Sequence, residues 1–330
     1  MKKHNDICIY SLIQDSKKPL YSYDLLFKKE DEKLEWLMTN ESLRSYCPIK
    51  KDNNELFENI GDFIANSPSP LNLNFKYIIK EIKPILGVGE RYKNIYRPVF
   101  SYKLQRTHFV LDGMPTNEEY DDSALNDLKQ EYLSYIRQFD IIFDDLLQIF
   151  KVVAPSTENL NTFGHAIRNG ILLACMEIDS MMHSILVKNE YCASETHTFT
   201  NDYVKLLGAM RLDEYMIEIK NYEDLGTFTP FKGWKVSNPT TSLEWYDAYN
   251  KIKHNRGQQF KKANLKNLLN TIAGFAIVLI AQYGHDNDLW KQKIGSLVRI
   301  KKEPRWSLAD FYIPFGPTGD SVYVNYPFEK

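Results

Sequence analysis

The stretch WYDAYNKIKHNR, residues 245 to 256, gathers Trp245, Tyr246, Tyr249, Asn250, Lys251, Lys253, His254 and Arg256. At about 100° per residue on a helix, Asn250 and His254 lie one turn apart on one face, with Lys253 beside them. A like charge next to a histidine disfavours its ionised form, so His254 would stay neutral near neutral pH and could act as a general base or proton shuttle. RNA cleavage needs such a base at a 2′-hydroxyl and a cation on the scissile phosphate, where charge develops. Lys253 or Arg256 would supply the cation and Asn250 would orient the site. Lys251, Tyr249, Lys261, Lys262 and the more distant Arg168 are candidates for RNA contact. The structural reading stands beside this one: a single helical histidine also serves to pack or hydrogen-bond, and Trp245 and Tyr246 read as core anchors.

The elements that must hold this box are helical. Between Tyr120 and Val153, Leu125, Leu128, Tyr132, Ile136, Phe139, Phe143, Leu146 and Phe150 recur at spacings of three and four, which predicts a long amphipathic helix ended before Pro155. A second helix restarts with Ser156 or Thr157 as N-cap and is apolar on most faces from Ile171 to Leu186. Arg168, Glu177 and Asp179 are its polar exceptions; inside a bundle they would have to pair, with Lys253 or Arg256 as partners. NDYVKLLGAMRLDEYMIEIKN predicts a third, shorter helix, followed by the loop LGTFTPFKGWKVSNPTTS. The fourth helix is expected to begin with Thr241 or Ser242 as N-cap and to run towards Gly284, kinked at Gly257. Residues 1 to 118 are mixed, with strand-like runs such as DICIYSLI and YRPVFSYKLQ, a helical spacing in NNELFENIGDFIANS, and a turn at SPSPLN. DGMPTNEEYDD marks a boundary, and the aromatic, proline-rich tail reads as extended.

Charge is patterned locally. Residues 117 to 146 hold nine acids (Glu118, Glu119, Asp121, Asp122, Asp127, Glu131, Asp140, Asp144, Asp145) against Lys129 and Arg137, whereas residues 248 to 285 hold six Lys or Arg and no acid. Either the basic helix answers the acidic one, within one molecule or across a dimer, or its cations form a phosphate-contacting face.

Globally the chain is ordinary. Its 330 residues are 43% hydrophobic, enough for a sizeable core, and a formal charge of −2 makes no global case for nucleic acid or membrane. Cys8, Cys47, Cys175 and Cys192 lack zinc or redox spacing, which fits a reducing cytosol. The N-terminus lacks the apolar run of a secretory signal, and the run Ile272 to Ile280 is short for a membrane span and reads as a core helix. These features predict a cytoplasmic protein without membrane contact. GVGERYK and GPTGDS lack the G-K-[ST] ending of a phosphate loop, there is no G-x-S-x-G elbow, and neither a metal nor a cofactor is expected.

A late helix carrying a polar residue, Asn, three residues and His resembles the motif of the HEPN superfamily (higher eukaryote and prokaryote nucleotide-binding). Many of its members are ribonucleases of bacterial toxin and phage-defence systems, and their hallmark is Arg, four to six residues, then His. Asn250 and His254 match the Asn and His; Tyr249 stands where the Arg belongs, and no Arg-x(4–6)-His occurs in the chain. The blocks FGHAIRNGILLACMEIDSMMHSIL, NDYVKLLGAMRLDEY, PFKGW and LEWYDAYNKIKHNR also resemble a group of bacterial proteins that carry no assigned activity. The resemblance implies a mainly α fold: a HEPN-like helical bundle at 119–290, after a mixed region at 1–118 and before an extended aromatic tail at 291–330. It implies a homodimer with His254 in the dimer cleft, and an RNA-directed effector. The alternative is a silent scaffold, sensor or antitoxin-like subunit that binds a protein partner in a defence complex.

Overall fold

The computed structural model describes residues 7–17, 22–30, 33–41, 56–66, 76–100, 123–254, 256–285, 288–313 and 322–329. The chain divides into two compact units. One is built from Met1–Arg91, Arg97–His108 and Trp306–Tyr323, the other from Tyr92–Tyr96, Phe109–Arg305 and Val324–Lys330.

The first unit is organised by alternation. In β1 (Ile7–Gln14) and β2 (Ser22–Glu30), side chains point to opposite faces in turn. Cys8, Tyr10, Leu12, Tyr23, Leu25 and Phe27 thus fall on one face and Ile9 and Leu26 on the other. β3 (Lys33–Glu41) and β4 (Leu56–Phe57) extend the sheet on one side. The short helix α1 (Ile60–Asn66) drops Phe63 onto the first face, edge-on to Phe27 and Phe57 at 5.0 Å each. β5 (Tyr77–Ile82) pairs with β1, giving an antiparallel sheet of order β4-β3-β2-β1-β5. The second face is closed by Phe100 and Ile313, the latter from a segment held by Phe100 N–H to Tyr312 C=O at 2.7 Å. β6 (Glu90–Tyr92) follows.

The second unit is centred on helices. α2 (Ser123–Phe150) buries Tyr132, Ile136, Phe139, Phe143 and Leu146, the stripe its spacing predicts. α3 (His165–Lys188) packs on α2 and on α8 (Leu265–Tyr283), the latter buried nearly all round. Between α3 and α8 lie the short helices α4 (Thr200–Tyr203) and α5 (Leu206–Met210), strands β7 (Met216–Ile219) and β8 (Thr227–Phe228), and helices α6 (Glu244–His254) and α7 (Arg256–Gln259). Gly170 lets α3 and α8 approach, because a Cβ there would lie 2.9 Å from Leu268 Cδ1. After α8 come α9 (Asp288–Gln292), α10 (Ile294–Leu297) and β9 (Val298–Lys302), and β7 sits between β8 and β9 in a three-stranded sheet. The last strand, β10 (Val322–Val324), pairs with β6. By length and composition α3 and α8 could each cross a membrane, but the apolar window of α8 is 89% buried inside the protein and serves as its core.

One carboxylate ties this unit together. Glu131 on α2 accepts hydrogen bonds from Ser184 Oγ (3.0 Å), Tyr283 O–H (3.2 Å) and Asn94 Nδ2 (3.2 Å), and pairs with Lys188. With so many donors satisfied, Glu131 reads as a structural lock rather than a reactive group.

The expected mainly α bundle is overturned. Of the described residues 48% are helical and 20% are in strands, so the fold is mixed α/β and not all-α. The third predicted helix is in fact α4, α5 and then strand β7, whose Ile217 and Ile219 enter the core. Four residues are too few to display alternation, so MIEI merges with the helical pattern before it. The fourth helix is broken: a 3-10 turn at Phe260–Lys262 separates α6 and α7 from α8. Ser156 and Thr157 border a 3-10 turn, and Gly164 takes the N-cap position of α3. Cys47, SPSPLN, DGMPTNEEYDD, Glu118, Glu119, Asp121, Asp122 and GPTGDS lie outside the described residues, as do the side chains of Leu125, Asp127, Leu128 and Arg256.

Candidate functional site

α6 has two unlike sides. Trp245, Tyr246, Tyr249 and Ile252 recur at helical spacing and are buried. Trp245 donates its indole N–H to the Pro230 carbonyl at 2.8 Å and meets Phe231 edge-on at 5.8 Å. Tyr246 stands between Trp245 and Tyr249, with ring centroids 5.4 and 5.5 Å away. Its hydroxyl donates to Asp179 Oδ1 on α3 at 2.7 Å. Burial raises the Asp179 carboxyl to about 6, against the opposing pull of the Tyr246 hydrogen bond and the Lys253 charge. Burial and the Asp179 charge together push the Tyr246 phenol far above its ordinary range. Deeper still, Cys175 faces Thr271 Oγ1 at 4.0 Å, and burial raises its thiol too. A buried protonated thiol is inert.

The outward side carries the cations. Lys253 donates from Nζ to Tyr249 Oη at 3.3 Å and lies 5.2 Å from that ring's centroid, a cation–π contact. Lys251 pairs with Asp247 at 2.5 Å. Asn250 donates from Nδ2 to the Tyr246 carbonyl at 3.3 Å, one helical turn back. His254 is exposed, and no hydrogen-bond partner reaches it among the described residues. The structure therefore places Asn250, Lys253 and His254 together on the last turn before residue 255, and among the described residues no carboxylate orients the imidazole.

After α7 the chain stays basic. Lys261 is exposed and Lys262 half-buried on the 3-10 turn, whose Phe260 lies 4.8 Å from the His165 ring and 5.8 Å from Phe163. Asn264 caps α8 by accepting from Asn267 N–H at 3.0 Å, which fixes where the basic turn stops. Lys266 is paired with Glu244 at 2.6 Å.

Among the described residues no ion pair joins α2 to α6. The α2 acids go elsewhere, Glu131 to Lys188 and Asp140 towards Lys293 at 3.7 Å. Of the polar residues on α3, Asp179 joins the box. Arg168 reaches Asn169 Oδ1 from Nη1 at 3.4 Å, and its buried Nε meets no acceptor among the described residues. Glu177 is raised by burial.

Sequence reasoning passes over His183, one turn after Asp179 on α3. Its Nδ1 lies 2.9 Å from Thr198 Oγ1 and its Nε2 lies 3.2 Å from the Ser194 carbonyl. Thr198 in turn bonds Tyr203 Oη at 3.1 Å. The i, i+4 spacing from Asp179 is the signal that points to it. Among the described residues no group of three or more His, Cys, Asp or Glu could hold a metal ion. The arrangement can thus bind anions through exposed ammonium groups, and its one strongly raised carboxylate is committed to a tyrosine. In comparisons with family models, curated proteins and solved structures, nothing matches the chain.

Proposed function

We infer that the helical unit contacts RNA, as the binding face of an RNA-directed effector. The observation that carries this is the set of exposed lysines Lys251, Lys253 and Lys261, within residues 248–285 that hold no acid and, among the described residues, make no ion pair to the acidic α2, although Lys251 also pairs with the preceding Asp247. Such a face attracts a phosphate backbone, releases its counterions and weakens with salt. The likeness of the Asn250 and His254 spacing to the HEPN motif supports RNA in particular. His254 is the residue this reading assigns to proton transfer, should the bound RNA also be cut.

The test is fluorescence anisotropy with tRNA and with a long single-stranded RNA in chelator, on the native chain and on a Lys251→Glu, Lys253→Glu, Lys261→Glu variant, with product gels run on the same samples. Binding is expected to fall at least tenfold in the variant. Cleavage lost in His254→Ala would add catalysis to the reading. Equal binding by native chain and variant, or none at low salt, sinks it.

A second reading, a silent scaffold for a protein partner, is favoured by one observation: Leu173 and Met176 are exposed on α3 at 46% and 58%. Loss of a co-purifying protein on Leu173→Asp, with RNA binding absent throughout, would select it.

A further inference from the structure

We propose that β5 is a self-pairing edge, through which two copies of this chain join their five-stranded sheets by antiparallel β5–β5 addition. In the sheet β4-β3-β2-β1-β5, β5 has a strand neighbour on one side only among the described residues. Four consecutive residues, Ile78 to Glu81, are exposed, with Ile78 at 57% and Ile79 at 42%. Because neighbours on a strand point to opposite faces, both isoleucines being bare means that both faces of the strand are open at this point.

The hydrogen-bond phase shows what the open edge offers. Asp15 N–H donates to the Lys76 carbonyl at 2.8 Å, and the pairing runs on in step as Ile13↔Ile78, Ser11↔Lys80 and Ile9↔Ile82. Even-numbered residues therefore turn their backbone groups towards β1. The N–H and C=O of Ile79 and Glu81 turn outward.

A two-fold axis perpendicular to the sheet pairs residues on the same face, so the register is set by the residue on the axis. With Ile79 on the axis, Ile79 faces its own copy, Tyr77 faces Glu81, Ile78 faces Lys80 and Lys76 faces Ile82. No like charges meet. Moving the axis to Ile78 sets Lys76 against Lys80, and moving it to Lys80 sets that residue against itself; both are disfavoured cross-strand pairs. Of these three central registers the lysines select the one on Ile79, which also keeps the whole of β5 paired. The occupant is a second copy because in that register β5 meets itself along its whole length with Ile79 against Ile79 and no like charges opposed.

Sedimentation of the full chain over a concentration series reads the result, with circular dichroism to confirm folding of each variant. The native chain is expected to approach twice 38.6 kDa as concentration rises. Ile79→Pro removes an outward N–H that β1 does not use, and is expected to leave the fold intact while holding the mass at the monomer. Under oxidation Ile79→Cys is expected to yield a covalent dimer, since directly opposed hydrogen-bonded residues have Cα atoms about 5.5 Å apart. Ile78→Cys is expected not to, being opposite Lys80. A native chain that stays monomeric throughout overturns the proposal, as does a dimer that survives Ile79→Pro or that crosslinks equally well from position 78.

Discussion

Tyr246 and Asp179 meet at 2.7 Å across 67 positions of sequence, and this contact fixes α6 on α3. Its hydrogen bond is formed in a buried place, where a missing partner would cost more than the bond contributes at the surface.

The consequence is a pH dependence. Burial raises the Asp179 carboxyl from 3.8 to about 6, so the fold prefers its neutral form. A folded value above the unfolded one gives stability that is full below about pH 4 and is lost as pH rises through about 6. Asp179→Asn keeps an acceptor for Tyr246 and removes the ionisation. Urea denaturation is expected to show the variant more stable than the native chain at about pH 8, by up to about 3 kcal/mol, and nearly equal at about pH 4. A variant less stable at both would refute the assignment.

Asn189 makes a second such tie. Its Oδ1 accepts the Tyr326 N–H at 2.7 Å, while Nδ2 donates to the Lys93 and Ile185 carbonyls at 2.8 Å each. Asn189→Ala leaves these groups unmatched and is expected to cost about 2 to 4 kcal/mol. Hydrogen exchange at Tyr326 should rise well before global unfolding; unchanged protection there would contradict the tie.

Close helix packing at Gly170 is testable by size. Gly170→Val brings branched methyls against Leu268, whose Cδ1 lies only 2.9 Å from where a Cβ would stand, and is expected to destabilise by about 1 to 3 kcal/mol. Adding Leu268→Ala should return part of that loss, because the two sites share one contact. Additive losses would show that they do not.

For the RNA reading, salt gives a readout independent of affinity. Each cation that contacts a phosphate contributes about −0.7 to the slope of log K against log salt for single strands. Lys253→Gln and Lys261→Gln are each expected to flatten that slope by about this amount. A lost affinity with an unchanged slope would mean that the lysines act on folding.

Much of the helical unit is legible in one dimension. The three- and four-residue spacing from Tyr132 to Leu146 outlines the buried face of α2, and the unbroken apolar character of α8 marks it as the core. What stays hidden is short or distant. β7 has four residues and β8 two, so neither leaves a period to detect, and the expected mainly α class fails on them and, more heavily, on the five-stranded sheet of the first unit. The box divides into a buried aromatic side and an exposed basic side much as its spacing suggests. Its tie to Asp179 depends on how α3 crosses α6, which no local pattern encodes. The break at Phe260–Lys262 reads from sequence as a kink at Gly257, because nothing nearby forbids a continuous helix and the Asn264 cap is recognisable only once α8 is known to start there.

Phe100 and Ile313 close the second face of the five-stranded sheet, yet they are separated in sequence by most of the helical unit. On a ribosome adding roughly 5 to 20 residues per second, that leaves Ile9 and Leu26 without their final cover for a time on the order of ten seconds or more. The first strands to emerge are therefore among the last to be sealed. A nascent chain of this protein passes through a stage in which that sheet face lacks the Ile313 part of its cover, and mutations that slow synthesis of the helical unit would lengthen the exposure of a surface they never touch.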